Sequence, residues 1–212
     1  MQNVNNAFFS GKIHSMFMTP KGELKLKLSI AQSKTNDAGE RILKKDKNGN
    51  YVRSIITIRF LGESAKRVND QFRAGDYVNV VAVAQTVRNH YSCTNKIEMW
   101  GLSVNSKQGS HIDPLRDINS ITLQGKVTSI YETKSGTRLV TVYTSVEKPV
   151  LTPSLTPKNQ TFNSYTTVNV GKDFECTKGE YIKVSGFVIE HNDKNSAAQY
   201  IYCTKKEKFV RS

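Results

Sequence analysis

Leu24, Leu26, Leu28 and Ile30 alternate with Lys25, Lys27 and Ser29, the period-2 pattern of a strand with one buried face. SIITIRF (Ser54–Phe60) is a β-branched run that precedes Gly62. Tyr77–Ala84 is valine-rich and opened by Gly75-Asp76, and Ile97–Val104 closes the first half. Only Glu63–Phe72 has helical spacing, with Ala65, Val68 and Phe72 near one face. The second half repeats the pattern in Ile121–Ile130, Leu139–Val146, Tyr165–Val170, Tyr181–Ile189 and Gln199–Thr204. There the segment Lys172–Lys178 is too short for more than one helical turn.

The repetition extends to residues. NNAFFSGKIHSMFMTPKG (Asn5–Gly22) matches NSITLQGKVTSIYETKSG (Asn119–Gly136) at a constant offset of 114. RAGDYVNVVAV (Arg73–Val83) matches TKGEYIKVSGF (Thr177–Phe187) at an offset of 104. Two ordered matches with loop-length drift between them indicate duplication. The polar stretch Asn105–Asp117, with Gly109 and Pro114, reads as the joint, which gives domains 1–104 and 119–212 and a linker over 105–118. Strand, strand, strand, helix, strand, strand in about 100 residues fits a small Greek-key barrel. The expected fold is all-β: two tandem five-stranded OB-fold barrels, the first with a short helix between its third and fourth strands. An SH3-like barrel, which lacks the helix, is the nearest competitor.

Charge narrows the function. Lys plus Arg number 31 against 18 Asp plus Glu, a net +13 with a pI near 9.6, so a polyanion is the expected partner, chiefly nucleic acid. Residues 1–110 hold 17 basic and 8 acidic residues against 14 and 10 in 111–212, so the first unit is expected to carry more of any phosphate contact. No apolar run approaches the roughly 18 residues of a spanning helix, and Met1–Ser10 has no signal-peptide pattern, so no membrane partner is expected. Cys93, Cys176 and Cys203 are odd in number and form no C-x-x-C pair. Neither a disulfide framework nor a metal site is expected, and a reducing, cytoplasmic compartment fits.

Within the first unit the order of features resembles the bacterial and phage single-stranded-DNA-binding proteins. An early Asn precedes a strand and Gly (Asn5…Gly11), LKLKLSIA (Leu24–Ala31) ends in Ala, and RFLGESA (Arg59–Ala65) leads through a helix to FRAGDYVNV (Phe72–Val80). The likeness covers about residues 3–105 and, more faintly, 119–205. It implies single-stranded-DNA binding in replication, recombination, or plasmid or phage DNA processing. It also implies a homodimer of two-barrel chains and contacts with replication or recombination proteins. Two features depart from the family. Its base-stacking aromatics fall here on Asn36, Ile55, Leu61 and Asn89, with Tyr51 and Tyr91 nearby as substitutes, and the chain ends KKEKFVRS where the family has an acidic tail.

A groove for unpaired nucleic acid needs cations along the phosphates and flat side chains for the bases. If Leu24, Leu26 and Leu28 face inward, Lys25 and Lys27 face out, and Arg59 joins them if Ile56, Ile58 and Phe60 face inward. The loop with Lys44, Lys45, Lys47, Tyr51 and Arg53 reads as a basic finger with a hairpin tip at Asn48–Asn50. Arg88 and Tyr91 form a similar group after the fourth strand. Lys12, Lys126 and Arg138 complete the candidate nucleic-acid contacts. Phe17 and Tyr131, at equivalent positions, are expected to be structural, and Trp100 to pack in a core or interface. The second unit is expected to bind less. Its loop Lys148–Phe162 carries Pro149, Pro153 and Pro157 and reads as a linker-like flap or docking ribbon. No phosphate-binding Gly-rich loop or His/Cys ligand spacing occurs, so neither an enzyme nor a cofactor is expected. An RNA-binding OB factor and a protein-binding adaptor are the rival readings.

Overall fold

The structure is a computed structural model that describes residues 2–88, 95–108, 112–193 and 196–209, without the side chains of 88, 95, 157, 191–193 and 196–198. The first unit comprises β1 (Val4–Met18), β2 (Leu24–Ala31), the short pair β3 (Ser33–Thr35) and β4 (Arg41–Leu43), β5 (Arg53–Phe60), helix α1 (Gly62–Gln71), β6 (Tyr77–Arg88) and β7 (Asn95–Ser106). The second comprises β8 (Ile118–Glu132), β9 (Arg138–Leu151), β10 (Pro157–Gly171), β11 (Tyr181–Asp193) and β12 (Ser196–Phe209). In the first, antiparallel pairs β1–β2, β2–β5, β6–β7 and β1–β6 close through the parallel pair β5–β7. The second closes identically, with β10–β12 as its parallel pair. This is the OB strand order twice, each barrel built on alternating inward residues such as Leu24, Leu26, Ile56, Ile58, Val140, Val142 and Val168.

The two sequence offsets are structural equivalences. β1 shifts register between Ile13 and Ser15, and β8 does so between Val127 and Ser129. Asn5 donates from Nδ2 to the Ala84 carbonyl (2.7 Å) and accepts from the Ala84 N–H (2.8 Å). Asn119 makes the same two bonds with Val188, at 2.7 and 2.9 Å. Each asparagine acts as an inserted peptide unit between the first strand and the fourth, where the ladder has diverged. Gly11 and Gly125 are equivalent as well. A Cβ at either would press on a backbone carbonyl of the next strand, Ser29 or Tyr143, which is why the strand can bend there only with Gly.

The barrels share one sheet. Val4–Ser10 of β1 pairs antiparallel with Gln124–Ile118 of β8. Helix α1 covers the end of the first barrel with Ala65 and Val68, and Phe72 follows them inward. In the second barrel the half-buried Phe174 and Cys176 pack against the core in the helix's place.

Lys107 and Asp117, on either side of the joint, are anchored to each other and to the first barrel. Lys107 Nζ lies 3.4 Å from Asp117 Oδ1, both side chains buried, and Asp117 Oδ2 accepts the Ala31 N–H at 2.9 Å. Burial raises the Asp117 carboxyl above its ordinary pKa, and the Ala31 N–H and Lys107 oppose that shift without cancelling it.

The expectation for 148–162 is corrected. β9 and β10 form one long hairpin from Arg138 to Gly171, with Pro149 opposite Asn159 and a turn at Thr152–Thr156. Pro149 tolerates the strand because its missing N–H falls on an exposed stretch. The hairpin lies over the first barrel, where Val146, Phe162 and Val150 pack with Val83, Trp100 and Leu102. Trp100 therefore sits in the seam between the units.

Candidate nucleic-acid interface

In an antiparallel pair, residues in register share a face, so the registers place each predicted side chain. Three outward rows cross β1, β2 and β5: Lys12–Ser29–Ile55, Ser15–Lys27–Thr57 and Phe17–Lys25–Arg59. Lys25, Lys27 and Arg59 thus lie on one face, over the buried Leu24, Leu26, Ile56 and Ile58. Their availability differs. Lys12 and Lys27 are exposed, Lys25 is half-buried, and none of the three has an ion-pair partner among the described residues. Arg59 is held by two carboxylates, Glu23 at 2.9 Å and Glu98 at 3.0 Å, and Lys96 also binds Glu98 at 2.8 Å. Arg59 lies on the expected outward face, with its guanidinium already neutralised by two carboxylates. Thr57 is occupied too: its N–H and hydroxyl donate to Glu190 of β11 at 2.7 and 2.8 Å.

The same rows in the second barrel read Lys126–Tyr143–Tyr165, Ser129–Thr141–Thr167 and Tyr131–Leu139–Asn169. Lys12 and Lys126 are equivalent, as are Phe17 and Tyr131, which are 61% and 63% exposed and so are not core residues. Elsewhere the chemistry is exchanged. Where the first barrel has Ser29 and Ile55, the second has two tyrosines with ring centroids 4.8 Å apart, Tyr165 being 53% exposed. Where the first has Lys27 and Lys25, the second has Thr141 and Leu139. The second unit thus carries an aromatic row at the position where the first has none. Shifting Ser29 by the same offset of 114 lands on Tyr143, a signal present in the sequence.

The basic finger is a hydrogen-bonded hairpin. Asp46 Oδ1 accepts the N–H groups of Asn48 and Asn50 at 2.8 and 2.9 Å, Gly49 takes φ 81°, and Lys45 pairs with Tyr51. Lys45 Nζ stands 5.7 Å from the Tyr51 ring centroid, which leaves Tyr51 48% exposed. Lys44 and Lys47 are carried on this arm, and Arg53 donates to Ser29 Oγ at 3.4 Å. Arg138 is drawn away from the outer rows, toward Glu132 (3.6 Å) and the Phe174 carbonyl (3.2 Å). Arg88 ends β6 without a described side chain, and Tyr91, with Asn89, His90 and Cys93, lies outside the described residues. Burial pushes the Cys203 thiol up to about 12 and raises Cys176 as well, so both are protonated at neutral pH.

Solved structures share this architecture. The chain is similar to a deletion mutant of the single-stranded DNA binding protein from Thermus aquaticus, with 17% identity and a TM-score of 0.65, covering 100% of this chain and 97% of that one. It is similar also to the wild-type protein from that organism, at 17% identity and a TM-score of 0.62, covering 100% and 96%. No family model and no curated protein matches the chain. The likeness is one of fold: the two-barrel OB architecture runs the full length of this chain.

Proposed function

We propose that the protein binds unpaired DNA without regard to sequence and shields it during replication, recombination, or plasmid or phage DNA processing. The observation that carries this is the outward row Lys126–Tyr143–Tyr165, on the face equivalent to the one bearing Lys25 and Lys27. One barrel then offers cations to phosphates and the other flat rings to bases, the two elements such binding needs. Fluorescence anisotropy with labelled dT strands tests it. Affinity for dT is expected to exceed that for duplex by far and to fall steeply with salt. Tyr165→Ala is expected to weaken dT binding by roughly 5-fold to 150-fold, from about 1–3 kcal/mol per stacked base. Equal affinity for duplex refutes the reading, and displacement by oligo-U at equal concentration would move it to RNA.

Two copies are proposed to pair through the outer face of the sheet shared by β6, β1 and β8. Its row Ser103–Val81–Phe8–Ser120 has no charge on a chain of net +13, and Phe8 at its centre is 38% exposed. Light scattering is expected to give twice the 23.8 kDa chain mass, reduced to one chain by Phe8→Lys.

A further inference from the structure

The outer face of the second barrel does not end at β10. Because β10 and β12 pair in parallel with Asn169 beside Tyr202, the outward residues Tyr200 and Tyr202 continue the surface that begins at Tyr165. There it becomes concave. Thr86 of β6 and Lys96 of β7, both from the first unit, rise beside it and wall a groove of about 360 Å³, floored by Tyr165, Thr167, Tyr200 and Tyr202. The wall is bonded in place: the Thr86 hydroxyl donates to the Tyr165 carbonyl at 2.6 Å and accepts the Tyr165 N–H at 3.1 Å. The floor is held as well. Tyr202 stacks on its cross-strand partner Phe187, with ring centroids 5.8 Å apart and planes 15° from parallel.

We infer that this groove at the junction of the two units receives a single unpaired nucleobase. The inference rests on the DNA-binding reading above and adds a site to it. The chemistry favours a base over a phosphate. Lys96, the cation of the wall, is bound to Glu98 at 2.8 Å, so the groove offers little net positive charge. It offers aromatic surface instead, with Tyr200 49% exposed. A ring can enter only if it is free of a duplex stack, so the groove selects unpaired nucleotides. Its wall and floor come from different units, so it lies at the junction between the first barrel and the Tyr143–Tyr165 row.

The test uses the full chain. A dT strand carrying one 5-iododeoxyuridine is irradiated on the wild-type protein and the adduct located by mass spectrometry, while anisotropy measures Tyr200→Ala and Tyr200→Phe with unmodified dT. Adducts on the peptide containing Tyr200 and Tyr202, about fivefold or greater weakening in Tyr200→Ala, and recovery in Tyr200→Phe are expected. Wild-type binding with adducts confined to other peptides and Tyr200→Ala within twofold of wild type overturns the groove but leaves DNA binding standing. A wild-type protein that retains no dT at low salt overturns the DNA-binding reading, and the groove with it.

Discussion

Replacing Asp117 with Ala tests the joint between the barrels. The side chains of Lys107 and Asp117 are 4% and 0% exposed, so neither charge has water to fall back on. Asp117→Ala strips Lys107 of its counter-charge and leaves it with the Arg116 carbonyl at 3.3 Å. It also orphans the buried Ala31 N–H, whose acceptor is Asp117 Oδ2 at 2.9 Å. Breaking a buried pair from one side costs about 3–5 kcal/mol, because an uncompensated charge remains. For a chain of this size, about 2–4 °C of Tm accompanies each kcal/mol, so a fall of roughly 6–20 °C is expected. Calorimetry at neutral pH reads it directly. Lys107→Met/Asp117→Leu, which removes both charges and keeps bulk, should lose far less than Asp117→Ala. Proton linkage gives a second handle. Burial raises the Asp117 carboxyl above its ordinary value, so the part of the stability linked to its protonation is complete below that ordinary value and is lost as pH rises through the elevated one, while the contacts to Lys107 and the Ala31 N–H are what remain at neutral pH. Asp117→Asn should abolish that part of the slope. A Tm for Asp117→Ala within 2 °C of wild type would refute the argument.

Counterion release separates the cations of the first barrel. Lys25→Ala with Lys27→Ala should flatten the slope of log affinity against log salt by about 0.7 for each phosphate that is no longer neutralised, whereas Arg59→Ala, already neutralised by Glu23 and Glu98, should leave it nearly unchanged. Urea titrations should show Asn5→Ala and Asn119→Ala each destabilising by about 1–3 kcal/mol, since each unpairs a donor and an acceptor of the fourth strand. Asn5→Ala should cost more, because Asn5 is fully buried and also donates to Thr144 Oγ1 at 3.1 Å.

Most of the architecture was legible because it depends on local period and on repetition. The alternation over Leu24–Ile30 and the Ala65–Val68–Phe72 spacing give strand and helix without tertiary help, and the offsets of 114 and 104 mark equivalent strands down to a shared register shift. What was hidden depends on distant partners. Arg59 looks unpaired until Glu23 arrives from the β1–β2 turn and Glu98 from β7. The β9–β10 hairpin was obscured by three prolines that on their own argue against strand, and its stability comes from Val146, Val150 and Phe162 packing on Val83, Trp100 and Leu102 across the seam. The tyrosine row needs the pairing of β9 with β10, which is set by a turn, Thr152–Thr156, that carries no strong hairpin signal.

The exchange between the barrels has a physical logic. Phosphate attraction is long-ranged, reaching about 8–10 Å at moderate salt, so cations serve wherever they lie along the path. Stacking acts only at contact and needs a ring with room beside it. On the first barrel that room is absent at the equivalent position: Ser29 is 7% exposed, and the Arg53 guanidinium lies over it at 3.4 Å. On the second, Tyr143 and Tyr165 occupy the place, while the neighbouring rows turn to Thr141, Thr167 and Leu139. A duplicated barrel need not keep both functions in each copy, provided one DNA strand spans both. Salt should then weaken mainly what the first barrel contributes, and a component carried by the tyrosines should persist when the lysines are screened.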